Sequence, residues 1–178
     1  MEKAYKLFRK KGNKLYPLFV LATKETPMHT WIPAESGVLT TSGKVKSKLG
    51  NLCYRPGWHL NDLCPYVQHI GIKGPSGKIE YMNPDYVWCE VSYSDTINYQ
   101  KKADEKGKNK NGQIIKRNAY LKEIPVNGFY RYKTNPQMFG EWIIAGAIRI
   151  ERILSDEEVV ELCKPYGLVP MPRYKKVS

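Results

Sequence analysis

Three places in the chain set side chains with chemical capability beside turns that would hold them still. The first is Glu141, in NPQMFGEWIIAGAIRI. A carboxylate at the head of an apolar strand, straight after a glycine-containing loop, is rigid yet faces an open edge. That suits a group that hydrogen-bonds a sugar hydroxyl and stabilises a cation developing beside it. The same placement also serves to stop edge-to-edge strand pairing. The second is RPGWHLND, with Arg55, Trp58, His59 and Asp62. A histidine beside a tryptophan, after a Pro-Gly turn, is placed to touch a ligand or to act as a satisfied structural residue. The third is Arg9, where a guanidinium at a strand end can clamp a pyrophosphate through two parallel hydrogen bonds.

Other chemistries find less support. Cys53, His59, Cys64 and His69 carry donor atoms that zinc accepts, but they lack paired C-x-x-C spacing, and no metal site is predicted. The sequence holds no Walker-type loop, no glycine-rich dinucleotide fingerprint after a strand and no nucleophile elbow. Residues 100–117 carry seven basic side chains against two acidic ones, with two glycines and two asparagines. They read as a mobile basic loop. It is either simply solvated or an arm in which Lys101, Lys102, Lys106, Lys108 and Lys110 grip phosphates while Tyr130 and Tyr132 stack on bases.

The elements that must position these residues follow from periodicity. Tyr5, Leu7 and Arg9 alternate with Lys6 and Phe8, the turn KKGNK follows, and LYPLFVLAT resumes as a strand with Pro17 at an edge or bulge. Residues 25–50 turn polar and predict a long surface excursion, pinned by Trp31 and Ile32. Asn61 or Asp62 is the expected cap of a short helix over LCPYVQHI. YVWCEVSY is the strongest strand, with Val87, Cys89 and Val91 on one face and Trp88, Glu90 and Ser92 on the other. EWIIAGAIRIERIL is a late strand. SDEEVVELCKPYG is the clearest helix, capped by Ser155 with Glu158 completing a capping box and ended by Lys164-Pro165. Residues 170–178 read as a basic, frayed tail.

The totals bound the rest. A chain of 178 residues with 42% apolar and 12% aromatic content has enough to bury one core, and no domain boundary or repeat is visible. Lys and Arg number 29 against 17 Asp and Glu, a net charge of +12, which favours an anionic partner: nucleic acid, a phosphate-rich cofactor or an acidic protein face. The 4 scattered cysteines, the charged start and the lack of a long apolar run place the protein in the cytoplasm, with no membrane association.

The order of these features resembles that of ADP-ribosyltransferase-like domains. An early strand of the YKLFR type is followed by a middle motif resembling GWHLND ahead of a covering helix. A late strand then opens on glutamate, runs as EWIIAGAIRI and leads to SDEEV. The resemblance implies a single α+β domain whose split mixed or antiparallel sheet, with a few short helices, clasps NAD between its halves. It implies that Arg9, Tyr54, Trp58 and His59 contact the cofactor, that Glu141 is catalytic, and that FYRYKTNPQMFG is the substrate-recognition loop. Lys10 stands where the family carries a glycine after the first strand's Arg or His. Phe139 replaces the acidic residue two before the catalytic Glu, which argues against arginine as acceptor. In general style the chain also resembles small proteins of bacterial viruses and mobile elements. Two functions are therefore expected as alternatives: NAD-dependent ADP-ribosyl transfer to a host protein or nucleic acid, or a non-enzymatic basic module that binds nucleic acid or blocks a partner.

Overall fold

Alternation in the first segment is realised as a long strand, β1 (Lys3–Lys11), which turns at Gly12 (φ 63°) into β2 (Lys14–Tyr16). The predicted second strand stops at Tyr16 because Pro17 has no N–H to donate. The chain continues through β3 (Ile32–Pro33), β4 (Val45–Ser47), β5 (Gly50–Leu52), β6 (Trp58–Asn61), β7 (Ile72–Lys73), β8 (Ile79–Tyr81) and β9 (Tyr86–Tyr93). It then forms β10 (Ile97–Asn98), α1 (Gln100–Lys106), β11 (Gly128–Tyr132), β12 (Trp142–Ala145), β13 (Ala147–Ile153) and α2 (Asp156–Cys163). The structure is a computed structural model and describes residues 2–175.

Nine strands build one mixed sheet in the order β10-β11-β12-β6-β1-β9-β13-β3, with β2 on β1. The β10–β11 pair is parallel and the other named pairs are antiparallel. Hairpins β4–β5 and β7–β8 lie off this sheet. The described residues thus form one α+β domain, mostly sheet, with two α-helices. The late apolar run expected as one strand is two, because the chain crosses from one half of the sheet to the other at Gly146. There β12 leaves its neighbours β6 and β11, and β13 joins β9 and β3. Only glycine fits this corner: a Cβ would stand 2.2 Å from the Pro125 carbonyl oxygen.

Both halves feed one inner core. Ala4 and Phe8 of β1, Leu60 of β6, Cys89 and Val91 of β9, Ile143 of β12 and Ile148 of β13 pack together. The opposite face of β1 and β9 presents Leu7 and Trp88 to Val159 and Cys163 of α2. The opposite face of β11 and β12 presents Tyr130, Tyr132 and Ile144 to Ala103 of α1. The two faces of β9 and the capping box of α2, in which Glu158 N–H donates to Ser155 Oγ at 3.1 Å, match the pattern in the sequence.

Three expectations are corrected. LCPYVQHI is a series of bends rather than a helix. The Asn61 amide is spent on the Tyr66 carbonyl at 2.8 Å, and Pro65 removes a donor the helix would need. The first part of 100–117 is helix α1: Gln100 receives the Arg131 N–H at 2.7 Å and donates to the Arg131 carbonyl at 3.1 Å, so the helix start is stitched to β11. The described part of the tail docks through Arg173, whose guanidinium donates to the carbonyls of Asn83, Pro84 and Tyr86 and pairs with Asp156 at 2.9 Å. Residues 176–178 of the predicted frayed tail lie outside the described residues. Among the described residues no helix is long and apolar enough to cross a membrane.

Gly146→Ala is expected to cost about 1–3 kcal/mol through the clash with Pro125. A urea titration should show it as a lower midpoint with an unchanged slope.

Candidate functional site

Along one edge, β1 changes partner, and between the two partners it has none from the sheet. It pairs with β6 at a single position, Tyr5 with Asn61, and with β2 only from Arg9 onwards. The Lys10 N–H reaches the Asp85 carbonyl at 2.7 Å on the β9 side. Peptide groups alternate in direction along a strand, so the N–H and C=O of Leu7 point the other way, into the gap.

A cavity of about 620 Å³ opens there. Its wall takes Lys6 and Leu7 from β1, Trp58, His59 and Asn61 from β6, Trp88 from β9 and Trp142 from β12. Loops complete it, contributing Arg55 on one side and His69 on another. The aromatic lining and the size suit a small organic ligand with planar rings.

The charges are unbalanced. Lys6 Nζ donates to the His59 carbonyl at 3.1 Å and sits 5.8 and 5.6 Å from the ring centres of Phe8 and Trp58. Burial pushes its pKa down to about 8. Arg55 donates from Nη1 to the Tyr132 hydroxyl at 3.2 Å and lies over the Tyr132 and Tyr120 rings. Its Nε is buried without a hydrogen-bond partner among the described residues. The carboxylates on the wall are already paired, Glu35 with Lys24 of the same wall and Glu25 with Lys14 at 3.7 Å, which leaves Lys6 and Arg55 without a carboxylate partner among the described residues. The cavity is therefore a positive, largely apolar space.

His59 is held neutral. Burial above all, then the nearby Lys6 and Arg55 charges, lower its pKa to about 4. Its Nδ1 lies 3.1 Å from the Gly57 carbonyl, an acceptor only, so Nδ1 carries the proton and Nε2 is left as an acceptor. Trp142 stands edge-on to His59 at 6.2 Å and to His69 at 6.4 Å. Burial also lowers the His69 pKa.

Of the residues expected to hold a cofactor, Trp58 and His59 line this cavity, while Arg9 and Tyr54 do not. Arg9 is spent on structure: it donates to the Ala22 carbonyl at 2.9 Å and stacks over Tyr16 at 4.7 Å. Glu141 is also outside the cavity wall; its neighbour Trp142 takes the cavity-facing place, and side chains alternate across a strand. Asp62 pairs with Arg131 at 2.5 Å instead of facing a ligand. Tyr130 and Tyr132 are buried, with hydroxyls bonded to Leu121 N–H and the Arg117 carbonyl, so their rings are closed to stacking on bases. Lys101, Lys102, Lys106, Lys108 and Lys110 are exposed on and after α1, and Lys108 pairs with Glu105 at 2.8 Å.

No protein-family model matches the chain, and no curated protein and no solved structure matches it either. The site therefore rests on its own geometry. Among the described residues no three His, Cys, Asp or Glu side chains are grouped to hold a metal. Cys53 is exposed near the Tyr120 hydroxyl, and Cys64 is buried. Lys6 was the missed residue with a visible signal: it interrupts the apolar face Ala4-Phe8 of an otherwise regular strand.

The lowered His59 pKa sets a pH dependence. Between pH about 4 and the ordinary value of 6.5 the unfolded chain binds a proton that the native chain refuses. Native stability therefore rises with pH across that window and is lost as pH falls through it. His59→Asn keeps a donor for Gly57 but cannot titrate. The difference in unfolding free energy between wild type and this variant, measured by urea titration, should slope between pH 4 and 6.5 and be flat above.

Proposed function

We propose that the protein binds a nicotinamide-type dinucleotide in the cavity where one edge of β1 lacks a sheet partner, as ADP-ribosyltransferase-like domains bind NAD. The observation that carries this is the gap in β1, where the Leu7 peptide presents a donor and an acceptor side by side to a space walled by tryptophans. A carboxamide on a planar ring is complementary to that edge, since it offers an acceptor and a donor in one plane. Arg55, with an orphaned Nε on the same wall, supplies positive charge for a pyrophosphate. A mixed sheet in a single α+β domain is also compatible with the resemblance in the sequence. The proposal concerns recognition: Glu141 lies off the cavity wall, and no transfer step is assigned to it.

A second reading is supported by the row of exposed lysines on and after α1 and by the net charge of +12. It makes that face a binding surface for a polyanion such as nucleic acid. Its affinity should then fall steeply as salt rises, since each phosphate contact releases counterions.

Calorimetric titration of NAD into the purified protein tests the first reading. We expect one saturable site, weakened about tenfold or more in Arg55→Gln, as befits a lost charge-assisted bond. Glu141→Gln should bind like wild type. Failure to bind NAD at about millimolar concentration, a free energy near −4 kcal/mol, would remove the dinucleotide reading.

A further inference from the structure

We propose that Lys6 is a nucleophilic amine that condenses with an aldehyde borne on an anionic, ring-containing ligand in the cavity. This goes beyond dinucleotide recognition and does not depend on it. Lys6 occupies an unusual place. It lies on the face of β1 that otherwise gives Ala4 and Phe8 to the inner core, at the point where the strand edge is unpaired and the cavity begins. Lys6 is half-buried, and a lysine drawn that far from water ordinarily sits against a carboxylate, because an unpaired ammonium in an apolar setting is costly. Here the carboxylates on the cavity wall, Glu25 and Glu35, pair with other lysines, and among the described residues the amine of Lys6 meets the His59 carbonyl and two aromatic rings.

Such an environment favours the neutral amine, the form that attacks carbonyl carbon. The lowered pKa, about 8, agrees with that. In the reaction the nitrogen lone pair forms a C–N bond to the aldehyde carbon as the C=O pair moves onto oxygen. A proton passes from nitrogen to that oxygen, and water leaves to give the imine. Nothing is oxidised or reduced. The ligand class follows from the walls: Trp58, Trp88 and Trp142 favour a planar body, and Arg55 favours an anionic group.

Two aldehydes, each with cyanoborohydride at about pH 7, test the idea on the full chain; at that pH ordinary lysines are almost wholly protonated. ¹³C-formaldehyde is small enough to reach any amine and reports the reactivity of Lys6 itself. Pyridoxal 5′-phosphate, an aromatic aldehyde with a phosphate, reports the ligand class. Peptide mapping at short times should show Lys6 labelled by both about tenfold above the exposed lysines, the chain's α-amino group being the one other fast amine. In Lys6→Arg, checked for folding by circular dichroism, labelling of the exposed lysines should be unchanged. If formaldehyde labels Lys6 no faster than exposed lysines, Lys6 is not a nucleophile and the proposal fails. If formaldehyde selects Lys6 but pyridoxal 5′-phosphate does not, the assigned ligand class is overturned.

Discussion

A strand edge inside a protein has to satisfy its peptide groups, and β1 does so with two different partners. Near its start it pairs with β6, and near its end with β2, because the Gly12 turn folds the chain back on the same side. Neither partner reaches Leu7. The opposite edge is used by β9 from Lys3 with Ser92 to Arg9 with Tyr86, which holds β1 in register across the gap. The inner core then holds the two halves together around that interruption.

The polar content of the gap follows from the same break in pairing. Where β6 parts from β1, the His59 carbonyl loses a strand partner and takes the Lys6 amine instead. That draws a positive group into an apolar wall, where burial first, and then the Lys6 and Arg55 charges, keep the His59 imidazole neutral. Aromatic rings rather than carboxylates surround these cations: Phe8 and Trp58 around Lys6, Tyr120 and Tyr132 around Arg55. Ring faces stabilise a cation without consuming its hydrogen-bonding capacity. The donors not already given to the His59 carbonyl and the Tyr132 hydroxyl thus stay available to an acceptor that arrives from outside.

Elements set by local rules were legible in the sequence. The faces of β9 follow strict alternation, and α2 announces itself through Ser155 and Glu158. The motif around Trp58 and His59 could be placed at a cavity because a Pro-Gly turn and an aromatic-histidine pair carry local meaning. The failures have a common cause, which is dependence on distant partners. Helix α1 is fixed by Gln100 meeting the backbone of Arg131, a contact no window of lysines and glycines reveals. Glu141 and Trp142 differ by one position, and only the pairing of Trp142 with Asn61 decides which of them meets the cavity. Arg9 looked free because the Ala22 carbonyl that engages it lies beyond a turn.

The pairing of β1 with β9 joins segments far apart in the chain, and the cavity wall draws on residues from Lys6 to Trp142. Contacts of such long range form late, because loop closure must be met before they contribute. The cavity is therefore a property of the finished molecule, and no isolated hairpin or fragment contains it. Any compound that occupies it engages the native state alone and draws the whole folding equilibrium towards that state by mass action. Ligand search and folding assay thereby become one experiment: a rise in melting temperature across a chemical library would report occupancy of this space.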